Sequence, residues 1–95
     1  MSEVIKLSQW DKLIEEILKI NRNLRFDDLS KALIRMGYTQ GQPKKGSSHY
    51  TYRKTNCVPI TLPKLKGSQM DKVYIKIVSD AVVEYLKEEE GGEED

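Results

Sequence analysis

Apolar residues in the first third of the chain recur every three or four positions, the spacing of one face of a helix. The first run predicts a helix over residues 8–20, which begins with a capping box. The second run predicts a shorter helix that Asp27 or Asp28 caps and that ends at Gly37, a residue suited to the left-handed stop position. The apolar positions of the two runs are Trp10, Leu13, Ile14, Ile17, Leu18, Ile20, Phe26, Leu29, Leu33 and Met36.

The middle of the chain changes to an alternation of period two, which predicts strands. Residues 38–42 fit a short first strand, and residues 48–54 fit a second one. The stretch 58–63 predicts a third strand that returns along the second as a hairpin. Pro59 lacks a backbone donor, so it favours an edge strand or a bulge at that point. The apolar set of the third strand is Val58, Ile60 and Leu62.

The last third of the chain holds the strongest periodic signal and predicts one long helix. Ser68 and Asp71 form its capping box, and the apolar repeat continues to Leu86. After Lys87 the sequence is acidic and contains two glycines, a composition that predicts a disordered tail over residues 88–95. The apolar positions of this helix are Met70, Val73, Tyr74, Ile77, Val78, Ala81, Val82, Tyr85 and Leu86.

The elements follow one another as helix, helix, three strands and helix, which predicts an α+β fold. A three-stranded antiparallel sheet of this size needs helices on one face to be stable, and this leaves its other face open. We divide the chain into an N-terminal helical extension, residues 1–22, a central domain, residues 23–87, and the acidic tail, residues 88–95.

Strand parity separates two sets of side chains in the second predicted strand. Tyr50 and Tyr52 share one face, and the other face carries His49, Thr51 and Arg53. Core packing is a commoner role for tyrosines than base stacking. If the tyrosines pack against the helices, the polar set lies on the open face, where a ligand would meet the protein.

Length and composition narrow the class of protein. With 95 residues, of which 33% are charged, the chain suits one small domain. It has no apolar run of about 20 residues and no signal-peptide core, and its single cysteine, Cys57, excludes an internal disulfide. We therefore expect a cytoplasmic protein. Neither a second histidine nor a carboxylate cluster accompanies His49, so we expect no metal site and no cofactor.

The formal net charge of +1 hides a strong asymmetry. Residues 1–83 carry 15 basic and 8 acidic side chains, a net of +7, whereas the last twelve residues are mostly acidic. Between Pro43 and Lys76 there are eight basic side chains and one acidic one. A face kept charged for solubility has the same composition, but cations around an imidazole that exchanges protons near neutral pH also suit a phosphodiester.

A turn of small residues, Gly46-Ser47-Ser48-His49, leads into the second predicted strand. With this turn and the elements above, the chain resembles the HicA family of toxins from prokaryotic toxin–antitoxin pairs, small ribonucleases with a fold like the double-stranded RNA-binding domain. The resemblance covers residues 24–86, and its most specific part is the turn at residues 46–49. The predicted helix over residues 8–20 is additional to the family pattern and is a candidate for an oligomer or antitoxin contact. The matching pieces are Gly37-Tyr38, Gly46-Ser47-Ser48-His49, Tyr50, Tyr52, the strand 58–63 and the helix start 73–78.

The resemblance implies a fold of the order α-β-β-β-α and the activity of a metal-independent mRNA interferase, an endoribonuclease that a HicB-type antitoxin neutralises. It also implies that His49 is catalytic and that Ser47 and Ser48 position the turn. Because the chain has one histidine, a homodimer would supply a second copy. Otherwise a water, a tyrosine or a lysine must complete the proton transfer.

RNA carries its own nucleophile, the 2′-hydroxyl, so such a nuclease needs a proton acceptor, a proton donor and cations for the phosphate. Arg53 is the best-placed cation because it shares a strand face with His49. The alternative is a non-catalytic RNA-binding module that grips phosphates without cutting, and a third class is a protein-interaction domain. The predicted RNA-binding residues are Lys44, Lys45, Ser47, Ser48, Thr51, Arg53, Lys64 and Lys66.

Overall fold

The computed structural model describes residues 9–43, 48–64 and 69–91, with side chains described as far as Glu88. The fold is α+β, as predicted, with a three-stranded antiparallel open sheet of order β1-β2-β3. The predicted order of elements is also confirmed. The elements are α1 (Gln9–Leu18), α2 (Phe26–Arg35), β1 (Thr39–Gln40), β2 (His49–Arg53), β3 (Ile60–Pro63) and α3 (Lys72–Gly91).

The aspartates at the helix starts play different parts from those predicted. Arg25 occupies the N-cap position of α2, and its backbone N–H donates to the Asp28 carboxylate at 2.9 Å. The prediction that Asp27 or Asp28 is the cap is therefore wrong, because both lie in the first turn. At α3 the Asp71 carboxylate itself accepts the backbone N–H two residues on, at 3.0 Å, which makes it the cap. Ser68 lies outside the described residues.

Gly37 terminates helix α2 in a left-handed conformation, as predicted. Gly37 has φ +104°. Its N–H donates to the Ile34 carbonyl at 3.0 Å, and the Tyr38 N–H donates to the Leu33 carbonyl at 3.0 Å. This pair of hydrogen bonds is a Schellman motif, which satisfies the last helical carbonyls and turns the chain toward β1.

Helix α2 packs on the inner face of the sheet through aromatic contacts. The Phe26 ring lies 5.3 Å from the Tyr50 ring and 6.5 Å from the Tyr52 ring, measured between centroids. The Tyr52 hydroxyl donates to Ser30 Oγ at 2.7 Å and accepts from Gln40 Nε2 at 2.8 Å. A buried tyrosine thus keeps its polar end paired, which fixes the centre of β2 against α2.

Helix α1 belongs to the same core as the rest of the domain. It packs mainly against α3 and α2, and its Ile17 is fully buried. The segment 1–22, predicted as an extension, therefore supplies part of the core through its described residues. The core side chains are Ile17, Leu24, Phe26, Leu29, Ala32, Leu33, Met36, Tyr38, Tyr52, Ile60, Leu62, Met70, Ile75, Val78 and Val82.

The buried face of α3 differs from the predicted one. Val73 and Ile77, predicted as core residues, are 56% and 40% exposed. Ile75, which the periodic pattern left out, is fully buried together with Val78 and Val82. Apolar residues occupy so much of this helix surface that two neighbouring stripes fit the helical period, and only the contacts with α1 and β3 select one.

The strands are shorter than the alternation predicted. Strand β1 contains Thr39–Gln40 rather than all of residues 38–42. Strand β3 begins at Ile60, and Val58, predicted as an inward residue of that strand, is 80% exposed. Pro59 precedes β3 directly, and its missing N–H explains why ladder pairing starts after it.

Helix α3 continues to Gly91. Residues 88–91, the first part of the predicted tail, are helical, and residues 92–95 lie outside the described part of the chain. The disorder of the tail stays a prediction. A run of glutamates has good helix propensity and extends a helix that its apolar stripe has already anchored. In the ranges that the structure describes, no helix combines the length and apolar character needed to cross a membrane.

Candidate nucleic-acid interface

Strand β2 presents different residues on its two faces. Tyr52 is fully buried and Tyr50 is half-buried against α2, whereas His49 and Arg53 are exposed on the opposite face and Thr51 is half-buried there. This is the orientation that the alternation predicted. We call the face that carries His49, Thr51 and Arg53 the open face of the sheet.

Cross-strand pairing brings further residues onto the open face. Thr51 stands opposite Thr61 of β3, and their hydroxyl oxygens are 3.0 Å apart, a hydrogen-bonding distance. His49 stands opposite Pro63, and Arg53 stands opposite Thr39 of β1. Directly paired residues share a sheet face, so the open face carries three threonines around the histidine and the arginine.

Gly41 leaves the surface beside Thr51 without a side chain. Its N–H donates to the Thr51 carbonyl at 2.8 Å and extends the ladder beyond β1. A Cβ at Gly41 would lie 3.2 Å from that carbonyl oxygen, closer than ordinary contact. The open face is therefore low on its β1 side, at Gly41, and a sugar-phosphate backbone has room to approach the strand there.

Arg53 lies farther from His49 than a shared phosphate contact requires. The two residues are four positions apart on β2, so their Cα atoms are separated by roughly 13 Å at about 3.3 Å per residue. Arg53 therefore suits a phosphate next to the one that His49 would meet. Its role in RNA binding stays a prediction, and this spacing favours a contact to the neighbouring phosphate over one to the reacting phosphate.

Two lysines of this region are directed toward the helices. The Lys64 ammonium lies 5.5 Å from the Phe26 ring centroid and 5.8 Å from that of Tyr50, both on the inner side of the sheet. The Lys54 ammonium lies 5.7 Å from the Tyr38 ring and 5.1 Å from the Tyr85 ring. In this arrangement Lys64, a predicted RNA contact, does not join His49 on the open face.

The remaining predicted contacts divide between described and undescribed parts of the chain. Ser48 is exposed at the start of β2, and its carbonyl accepts the Lys64 N–H at 2.8 Å. Within residues 9–43, 48–64 and 69–91 no group of three or more His, Cys, Asp or Glu could hold a metal ion. Lys44, Lys45, Ser47 and Lys66 lie outside the described residues.

Thr39, Thr61 and Gly41 are parts of the open face that were not among the predicted contacts. Parity alone marks Thr61 as outward, but the pairing of Arg53 with Thr39, and of Thr51 with Gly41 just beyond β1, depends on strand register. A single sequence does not specify this register. The one signal in the sequence for these missed residues was the presence of polar residues in each predicted strand.

Tyr38, on the inner side of the sheet, is the source of an expected pH dependence. Burial raises the pKa of Tyr38 from 10.0 to about 12, and the Cys57 thiol and the Glu88 carboxylate add to the rise. The unfolded chain loses this proton first, so the folded state loses stability as the pH rises from 10 toward 12.

We expect the urea midpoint of the parent to fall more steeply over this window than that of Tyr38→Phe. Parallel curves would contradict a buried, protonated Tyr38.

Comparisons of the chain with protein-family models, with curated proteins and with solved structures find no match. The chemistry of the open face and the sequence resemblance therefore carry the functional interpretation.

Proposed function

We propose that the protein is a metal-independent endoribonuclease, the toxin of a type II toxin–antitoxin pair, with His49 as its catalytic residue. The observation that carries the proposal is the exposed imidazole of His49 on the open face, with Thr51 and Arg53 on the same face. Messenger RNA as the substrate and the cytoplasm as the place of action follow from the HicA-like sequence features and belong to the same proposal.

The proposed chemistry needs one proton removed and one supplied. The 2′-oxygen of a ribose attacks the adjacent phosphorus, and the bond to the leaving 5′-oxygen breaks, which leaves a 2′,3′-cyclic phosphate and a 5′-hydroxyl. The imidazole of His49 takes the proton from the 2′-hydroxyl or gives one to the 5′-oxygen. The low surface at Gly41 lets the ribose approach, and the Thr51–Thr61 hydroxyls lie beside it as hydrogen-bonding groups.

The arrangement of elements supports a fold like that of the double-stranded RNA-binding domain. From α2 to α3 the chain follows the order α-β-β-β-α, and α1 is added before it. We further propose that a HicB-type antitoxin neutralises the toxin by covering the surface from Lys44 to Arg53. A neutralised complex in which His49 stays open to solvent would contradict this mode of inhibition.

A second candidate function is a non-catalytic RNA-binding module. It is favoured by the direction of Lys64, whose ammonium lies over Phe26 and Tyr50 rather than beside His49. Fewer cations then face a reacting phosphate, and the chain has one histidine where separate acid and base groups would need two. For the ribonuclease, a homodimer that pairs two open faces would supply the second imidazole.

Incubation of the purified chain with a long RNA in EDTA separates these functions. Cutting by the parent but not by His49→Ala supports the ribonuclease. Binding by both proteins without cutting supports the RNA-binding module. If the chain neither binds nor cuts RNA, both proposals are wrong, and a protein-interaction domain remains.

Arg53 and Lys54 provide a matched pair for the role of the open face. We expect Arg53→Gln to weaken RNA binding. The negative slope of the logarithm of the binding constant against the logarithm of salt concentration should become shallower by roughly 0.7–0.9, the value for the loss of one phosphate contact. Lys54→Gln makes the same charge change at the next position, but its ammonium lies over Tyr38 and Tyr85, so RNA affinity should change little. Equal losses in a salt titration would contradict the assignment of these residues to opposite faces.

A further inference from the structure

A groove lies between α3 and the turn that joins β2 to β3, at the end of the hairpin away from His49. Its volume is about 420 Å³. One wall is the stretch from Asn56 to Ile60, and the other wall is the face of α3 that carries Ile77 and Ala81. His49 pairs with Pro63 at the far end of β3, so the groove and the open face are separate surfaces.

The apolar side chains of this groove are unusually accessible. Val58 is 80% exposed and Ile77 is 40% exposed, on opposite walls. Pro59 is exposed beside Val58, and Cys57 and Ala81, one on each wall, are half-buried. A contiguous set of exposed apolar residues in a concave site is typical of a surface that another molecule covers.

The rim of the groove is acidic in a domain that is otherwise basic. Asp80, Glu84 and Glu88 follow one another at four-residue intervals along α3, so the three residues form a row with about 6 Å of helix rise between neighbours. Lys76 lies 3.2 Å from Asp80, and Lys87 lies 3.7 Å from Glu84, in pairs whose side chains are more than 60% exposed. Exposed pairs of this kind are weak, so their carboxylates can accept other cations.

We propose that this groove docks a partner protein through an amphipathic helix that carries aliphatic residues on one face and Lys or Arg beside them. The aliphatic face meets Val58, Ile77 and Ala81, and the cations meet the carboxylate row. The negative rim disfavours RNA, and a helix that lies along α3 matches a row of charges spaced by helical turns. The proposal does not depend on RNA cleavage, because it involves none of the open-face residues.

The reactivity of the Cys57 thiol reports directly whether the groove is occupied. It is the one cysteine of the chain and lines the groove as a half-buried residue. The probe is a synthetic helical peptide of three to four turns with leucines on one face and lysines flanking them, and the control peptide has glutamate in place of each lysine. We expect the lysine peptide to slow alkylation of Cys57 by N-ethylmaleimide at least fivefold at saturation, as read by mass spectrometry. The glutamate peptide should leave the rate unchanged.

Variants of the protein test the α3 wall and the rim separately. We expect Ile77→Ser, or the charge reversal Glu84→Lys, to raise the concentration of lysine peptide that gives half-maximal protection of Cys57 roughly tenfold. Ile34→Ser changes an isoleucine that is 51% exposed on α2 and should leave protection intact. Each variant is compared with and without peptide, so any change in the intrinsic reactivity of Cys57 cancels.

Three results would overturn the proposal. The first is equal protection by both peptides, and the second is no protection by the lysine peptide. The third is protection that rises with protein concentration in the absence of peptide, because the occupant would then be a second copy of the chain. The variant His49→Ala should behave as the parent in this assay, so failure of the nuclease proposal and failure of the docking proposal are distinguishable.

Discussion

Replacing His49 by glutamine is expected to lower the rate of RNA cleavage in EDTA by about 10²- to 10⁴-fold, the usual contribution of a positioned acid or base. Glutamine keeps hydrogen-bonding capacity but cannot exchange a proton at neutral pH. The position is exposed on the open face, so the substitution should leave folding intact. The measurement is the single-turnover rate on a labelled RNA, with the thermal midpoint as the test of folding.

Lys76→Gln is the control for loss of a basic side chain at a distant site. Lys76 is on α3, its side chain is 65% exposed, and it pairs with Asp80 rather than with a strand residue. Its removal should change cleavage less than twofold. Cleavage that survives in His49→Gln at the parental rate would remove His49 from the reaction, and the RNA-binding module would be the better interpretation.

Replacing Ile75 by alanine is expected to destabilise the protein by about 2–5 kcal/mol, whereas the same change at Ile77 should cost less than about 0.5 kcal/mol. The two residues are one helical half-turn apart, and their exposures are 0% and 40%. Ile75 fills the core between α3 and its neighbours, so its truncation leaves a cavity. Ile77 faces the groove, where water already reaches its side chain.

Urea unfolding of the two variants measures this difference under identical conditions. The pair is a strict test of the orientation of α3, because the periodic pattern alone placed Ile77 in the core and left Ile75 out. A larger loss at Ile77 than at Ile75 would mean that α3 is rotated from its orientation in the structure.

The sequence predicted the order of the elements because each one depends on local spacing. Alternation at Tyr50 and Tyr52 was sufficient to assign the inner face of β2, since aromatic residues in a small sheet have one core to enter. The glycine stop at Gly37 was equally local, because it depends on a single residue with a positive φ.

The errors arose where tertiary contacts decide. The face of α3 depends on packing against α1 and β3, which the period of its apolar residues does not determine. Val58 continues the alternation of β3 but precedes Pro59, which delays ladder pairing, so it remains exposed at the groove. Lys64 belongs to the basic run by composition, yet its ammonium lies over aromatic rings of the inner side.

Only part of the open face was predictable, because some of its residues follow from the local pattern of one strand and others depend on contacts between strands. His49, Thr51 and Arg53 follow from parity, but which residues of β1, of β3 and of the segment after β1 stand beside them requires the register. These neighbours are Thr39, Thr61 and Gly41. The low surface at Gly41 follows from a close approach to the Thr51 carbonyl, a distance that no residue pattern specifies. The result is two separate surfaces, the open face with its histidine and the acidic groove.

The most direct test of RNA binding at the open face is amide NMR of the labelled chain titrated with a short RNA whose 2′-hydroxyls are methylated, so that it binds without being cut. We predict shifts concentrated at His49, Thr51, Arg53 and Thr61, with the signals of Ile77 and Ala81 unchanged. Shifts confined to the groove or to α1 and α2, with those of β2 unmoved, would contradict the open face as the site where RNA is met.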